Sequence, residues 1–143
     1  MNWLHWSLLS AFFAGVTAVL AKVGVTGVDS NLATAIRTTV ILLFAWAIAV
    51  ATTKPAVMLD FQGRTWLFLS LSGVATGLSW LCYFRALQLG DASRVAPVDK
   101  LSVVFVILLA AFFLKEKMTL QHLIGGLLIT SGAVVLAWKS GKA

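Results

Sequence analysis

Three charged residues, Arg37, Asp99 and Lys100, lie inside or at the edge of runs of apolar and small residues. A charge within hydrocarbon costs about 3 kcal/mol on insertion scales, so it persists where it faces a partner or a wet cavity. Arg37 and Asp99 have the chemistry to form a guanidinium–carboxylate pair between two segments. Lys100, about 100° around a helix from its neighbour, is then left for another partner. Lys22 and Arg85 fall at segment ends, where snorkelling of the charged head to the membrane surface is the simpler reading.

Uncharged polar residues fall in register with these charges. Ser72, Thr76, Ser79 and Tyr83 recur at helical spacing as one stripe, with Trp80 beside it. Thr34, Arg37 and Thr38 share one helix face, Asp99 and Ser102 another, and Ser10 and Thr17 a third. Facing inward together they would line a mid-membrane pocket. The substrate-binding set expected from this pattern is Arg37, Thr38, Ser79, Trp80, Tyr83, Asp99, Lys100 and Ser102. A single Ser or Thr is more often a hydrogen-bonding link between helices, so the argument rests on the stripe as a set.

Other chemistries lack the residues they need. His5 and His122 stand near segment ends with no carboxylate or second histidine at ligand spacing, so no metal site is expected. No nucleophile, base and orienting group come together, and neither catalytic residues nor a cofactor are expected. Cys82 is the single cysteine, which rules out an intrachain disulfide. The net charge of +6 comes from Lys and Arg residues scattered at segment ends rather than gathered in a patch, which argues against nucleic acid as a partner.

The elements that must position these residues are apolar spans. The stretches Trp3 to Ala21, Asn31 to Ala51, Trp66 to Phe84, Val95 to Leu114 and Leu120 to Trp138 each approach the roughly 20 helical residues that a hydrocarbon core about 30 Å thick requires. A content of 60% hydrophobic and 11% charged residues, with a mean hydropathy of +0.97, does not suit a water-facing surface. The expectation is an all-α integral membrane protein with five transmembrane helices at about 3–22, 31–52, 65–85, 94–114 and 119–138, forming one domain over 1–143. With no basic residue before it, the first stretch reads as a retained span rather than a signal peptide.

Short breaks supply the helix ends. Gly24 and Gly27 end the first helix; Asp29, Ser30 and Asn31 are candidate caps for the second, and Lys54-Pro55 closes it. Thr65 is a candidate cap for the third, Gly90 its stop, and Asp91 or Ser93 the start of the fourth; with Ser93 as the cap, Pro97 predicts a mild kink. Trp3, Trp6, Trp66, Trp80 and Trp138 lie near helix ends, where indole favours the headgroup zone, whereas Trp46 is deeper and expected to be packed. Gly73 and Gly77 form a G-x-x-x-G pair; Gly125, Gly126 and Gly132 mark a helix with almost no polar stripe, read as a packing or dimer seam.

Orientation is balanced. One face carries Lys54, Arg64, Lys115 and Lys117; the other carries Lys22, Arg37, Arg85, Arg94, Lys100, Lys139 and Lys142. Setting aside Arg37, Arg85 and Lys100 as intramembrane leaves the two sides equal, so the positive-inside rule permits insertion both ways.

The order Tyr83-Phe84-Arg85-Ala86-Leu87, Gly90-Asp91-Ala92-Ser93, Ala96-Pro97, Lys115-Glu116-Lys117 and Gly125-Gly126, with Ala21-Lys22 and Ala35-Ile36-Arg37 earlier, resembles one EamA domain of the drug/metabolite transporter superfamily across the whole chain. Most members of that family carry two such domains in tandem and inverted, whereas this sequence has one copy and no internal repeat. The resemblance implies a multi-pass protein of the bacterial cytoplasmic (inner) membrane that exports or exchanges a small metabolite. It would work by alternating access as half of a ten-helix unit completed by a homodimer, antiparallel in the simplest case. Asp99 is then the candidate proton carrier, and the positive side of the membrane points to an anionic or zwitterionic substrate. The alternative is a non-transporting membrane subunit that stabilises or regulates another membrane protein.

Overall fold

A computed structural model describes residues 2–138. In chain order the elements are α1 (Trp3–Gly24), α2 (Ser30–Thr52), a 3₁₀ helix (Pro55–Asp60), α3 (Gly63–Leu89), α4 (Ala92–Asp99), α5 (Ser102–Phe113) and α6 (Leu120–Ala137). Helix is the only regular structure among the described residues. Five segments are long and apolar enough to cross a membrane, with α4 and α5 together forming the fourth. Lys139 and Lys142, used above in the charge balance, lie outside the described residues.

Local chemistry accounts for the ends. Asp29 caps α2 by accepting the backbone N–H groups of Asn31 at 2.9 Å and Leu32 at 3.0 Å. Before it, the chain turns through Gly27 at φ +76°, a left-handed conformation that glycine adopts without Cβ strain. After α2, Pro55 stands at the start of the 3₁₀ helix, where its missing N–H costs no helical bond.

Thr65 is not the cap of α3. The helix starts at Gly63, and Thr65 already donates its N–H to the Gln62 carbonyl at 2.9 Å, inside the first turn. α3 also outruns the expected 65–85, because no breaker intervenes before Gly90. Asp91 takes the cap position of α4 without a side-chain cap bond and instead lies 3.8 Å from Arg94. At α6, Thr119 and His122 form a capping box: the Thr119 hydroxyl accepts the His122 N–H, and the His122 ring accepts the Thr119 N–H, each at 3.4 Å.

The kink expected at Pro97 takes another form. The fourth span is interrupted at Lys100–Leu101, where the Leu101 N–H bonds to Val98 at 3.0 Å and the Val104 N–H to Leu101 at 2.9 Å, three-residue bonds of 3₁₀ type. Proline leaves the Ser93 carbonyl without its helical donor, and the backbone tightens in the turn that follows.

The helices group into two compact units, Met1–Lys22 with Leu89–Ala143, and Val23–Gln88. In the first, α4 and α5 pack on α6, with Ala133 buried and Ile107 Cδ1 3.9 Å from where a Cβ on Gly126 would lie, an ordinary contact. Lys22 Nζ donates to the Gly90 carbonyl at 2.8 Å, tying the end of the first span to the start of the fourth. In the second unit, α2 and α3 run antiparallel through the 3₁₀ helix, and Val25, Phe84 and Leu87 are buried. Gln88 closes that unit: its amide accepts from Arg85 and donates to the Val28 carbonyl in the turn before α2.

Large apolar side chains stay exposed along every span, as expected where hydrocarbon takes the place of water. Trp46, expected to be packed, is among them at 47% exposed. Placed mid-helix on α2, it faces outward because the inward face is taken by smaller residues such as Thr34 and Ser30.

Candidate functional site

Arg37 lies seven residues into α2, about 10 Å along the helix axis from its capped start. The antiparallel α3 brings the rings of Trp80 and Phe84 to that level. The Arg37 guanidinium carbon sits 4.4 Å from the Trp80 ring centroid and 5.4 Å from that of Phe84. A cation over an indole face gains about 0.5–2 kcal/mol depending on desolvation. Two rings one helical turn apart therefore hold the charge on α3 rather than letting it snorkel along α2. Phe84 is 3% exposed, so its ring is packed beneath the guanidinium rather than open to solvent.

The residues around this cation are polar without being acidic. Thr34 Oγ1 donates to the Ser30 carbonyl and Thr38 Oγ1 to the Thr34 carbonyl, both at 2.8 Å. Their hydroxyl protons are spent on the helix backbone, leaving acceptor lone pairs. Tyr83 is half-buried, its ring 6.5 Å from Phe84 edge to face, and it is close enough to Arg37 to interact electrostatically. Ser79 is exposed on α3. Within the same stripe, Thr76 donates back to the Ser72 carbonyl at 2.9 Å, and both residues remain exposed.

Of the predicted site, Arg37, Thr38, Ser79, Trp80 and Tyr83 belong to the second unit, and Asp99, Lys100 and Ser102 to the first. Asp99 finds its ion pair next door, with Lys100 Nζ 3.4 Å from Asp99 Oδ2. Lys100 is thus not left over for another partner. The long, flexible lysine side chain reaches back to its neighbour's carboxylate. Ser102 opens α5 and is exposed.

Among the predicted seam glycines, Gly126 meets the side chain of Ile107, whereas Gly73, Gly77, Gly125 and Gly132 have open space where a Cβ would lie. A cavity of about 90 Å³ lies at the α5–α6 connection, lined by Val106, Ile107, Ala110, Ala111, Glu116, Lys117, Met118 and His122. None of the predicted substrate residues borders it.

Two residues of the site region escaped the sequence reading. Phe84 falls four residues after Trp80, on the same face, so its place beneath Arg37 was open to a periodicity argument. Gln88, one turn further, has no comparable signal, since its partners are backbone carbonyls of a turn some sixty residues away in sequence.

The profile of the EamA-like transporter family matches residues 1–138. The chain is 55% identical over 136 residues to an uncharacterized transporter in the cobO 3′ region of Sinorhizobium sp., covering 95% of this chain and 96% of the relative. It is 34% identical over 83 residues to a probable 4-amino-4-deoxy-L-arabinose-phosphoundecaprenol flippase subunit, ArnE, of Enterobacter sp. (strain 638), covering 58% of this chain and 78% of that one. The corresponding ArnE of Pseudomonas fluorescens (strain Pf0-1) is 35% identical over 75 residues, 52% of this chain and 64% of that one. No solved structure matches.

Proposed function

The chain belongs to the EamA-like transporter family, and from that premise we propose that it is a secondary carrier of a small metabolite, active as a homodimer in which each subunit supplies one five-span half. The observation that carries the reading is Arg37 held on Trp80 at 4.4 Å within the spans, a charge kept where hydrocarbon penalises it. An intramembrane cation held on an aromatic face is a group that a solute site can use.

The dimer follows from what one copy leaves incomplete. Alternating access in inverted-repeat carriers requires two related halves rocking about a site near the midplane, and this chain supplies one. Ser72, Thr76 and Ser79 form a polar stripe on α3 that is exposed in the single chain, and polar groups at that depth call for a protein or aqueous neighbour. A second copy inserted in the opposite sense supplies that neighbour, and the balanced distribution of Lys and Arg permits it. A bacterial cytoplasmic membrane is the setting that suits a chain whose named relatives include bacterial transporters.

The test is counterflow in proteoliposomes. Protein loaded with an unlabelled pool of candidate metabolites accumulates the labelled counterpart of its substrate, and Trp80→Ala abolishes that accumulation while the variant remains monodisperse. Pure protein that moves no solute, and that copurifies with a stoichiometric membrane partner, would overturn the homodimeric carrier.

A second reading has its own support. The names of the ArnE relatives describe a flippase subunit for a lipid-linked sugar phosphate. By analogy, this chain would pair with a different small membrane subunit and turn a lipid-linked headgroup across the bilayer. Fluorescent lipid-headgroup translocation that appears only when a second chain is co-reconstituted favours it.

A further inference from the structure

We propose that Arg37, braced against Trp80 and Phe84, is the anion-reading element of the carrier, so that the solute presents a carboxylate or phosphate oxyanion to its guanidinium. The inference rests on the carrier reading above and names the ligand class of that same site.

Three observations combine. The first is immobilisation. With its carbon 4.4 Å from one ring centroid and 5.4 Å from another, the guanidinium is held against two aromatic rings. A guanidinium carries five N–H donors and aromatic carbons accept none of them strongly, so donors remain for two oxygens of a carboxylate or phosphate.

The second is the lack of a local acid. Neither α2 nor α3 contains an aspartate or glutamate. Within the same unit, the Asp29 carboxylate is committed to the N–H groups of Asn31 and Leu32. Asp60 ends the 3₁₀ helix that follows Thr52, the C-terminal end of α2, whereas Arg37 lies near the N-terminal end. That separation along α2 is about 22 Å. Among the described residues, the ion pairs are Arg94–Asp91 and Lys100–Asp99. A guanidinium in a span with no carboxylate of its own calls for a counter-ion from elsewhere, and an oxyanion solute fits that role.

The third is the character of the rim. Thr34 and Thr38, with their protons given to the backbone, offer acceptors of modest strength but no negative charge. A cationic solute would meet like charge there, whereas an oxyanion meets the guanidinium.

The oxyanion has two conceivable sources, a soluble metabolite or the phosphate of a lipid headgroup, and the experiment separates them. Full-length protein in phosphatidylcholine nanodiscs is treated with phenylglyoxal, and modification of Arg37 is followed by peptide mass spectrometry in sodium phosphate, sodium succinate, sodium chloride of equal ionic strength, or tetraethylammonium chloride. A parallel set of nanodiscs contains phosphatidic acid. The expected result is that phosphate or succinate, or the phosphatidic acid bilayer, slows modification at Arg37 on the order of tenfold relative to chloride. Protection by the lipid alone assigns a headgroup, and protection by the added salts assigns a soluble solute.

Equal modification in every arm, or protection by tetraethylammonium, overturns the proposal. So does an Asp99→Asn protein whose Arg37 becomes newly protectable, since the counter-ion would then have been Asp99. Tryptophan fluorescence titrations with phosphate, with Arg37→Gln weakened on the order of tenfold and Arg37→Lys intermediate, provide the second measurement. Anion protection without counterflow sinks the carrier reading alone; counterflow that persists with no anion preference sinks this inference alone.

Discussion

At the residue scale, the guanidinium of Arg37 and the carboxylate of Asp99 have different tasks in this reading, and their variants separate them. Arg37→Gln is expected to lower counterflow at least about tenfold, the loss that follows from removing one charge-assisted hydrogen-bond pair from a desolvated site. Trp80→Phe keeps a ring under the cation and is expected to lose less than Trp80→Ala, a comparison that initial rates in proteoliposomes decide. Asp99, paired with Lys100 at 3.4 Å, is the candidate proton carrier of the fourth span. Asp99→Asn is expected to leave exchange at equilibrium intact and to abolish uptake driven by an imposed proton gradient. Gradient-driven uptake that survives the substitution removes Asp99 from coupling.

Arg37 stood out in the sequence because a charge within an apolar span is rare, and Trp80 because it lies beside the polar stripe of the third helix. That they touch each other was not legible there, since the pairing depends on how α2 and α3 register through the 3₁₀ helix. The pairing of Lys100 shows the converse. Ideal helical spacing separated it from Asp99, yet the reach of the lysine side chain brings its ammonium to that carboxylate.

At the element scale, the start of α2 followed from capping chemistry, whereas the start of α3 and the break inside the fourth span did not. Asp29→Ala removes a carboxylate that accepts two N–H groups at the start of α2 and is expected to cost about 1 kcal/mol. Gly27→Ala forces a Cβ into a left-handed turn, at a cost of about 1–2 kcal/mol. Reversible unfolding in mixed micelles reads both. The interruption at Lys100–Leu101 is the element most open to a functional test, because mid-helix 3₁₀ stretches mark hinges or strained sequence. Pro97→Ala restores a donor to the Ser93 carbonyl. The expected outcome is a raised midpoint of thermal unfolding with slower flux. If both stay unchanged, the interruption is no hinge. Thr65 failed as a cap because Gly63 and Arg64 continue the helix backward toward Gln62, a case in which a good capping residue lost to its neighbours' freedom to extend the turn.

At the scale of the whole molecule, the prediction is assembly. Tags on both ends of the chain, probed in intact cells with impermeant reagents, are expected to be found on both sides of the membrane, and disulfide trapping from single cysteines along the exposed stripe of α3 is expected to give dimers. One orientation with monomers throughout would leave the exposed Ser72, Thr76 and Ser79 stripe to be covered by a different chain.

The amino-acid sequence alone determined that this is a five-span helical membrane protein, because span length, hydropathy and cap residues act within a few turns of chain and need no partner to be read; the order of its short motifs gave the resemblance to the EamA family that the family match bears out. Only the tertiary structure decided which polar groups meet: Arg37 with Trp80 and Phe84, Asp99 with Lys100, Lys22 with Gly90, Gln88 with the turn before α2. In lipid the hydrophobic effect does not drive one apolar helix against another, so hydropathy carries little information about neighbours. The pairings come from close packing and hydrogen bonds, whose register is set by turns far apart in the chain.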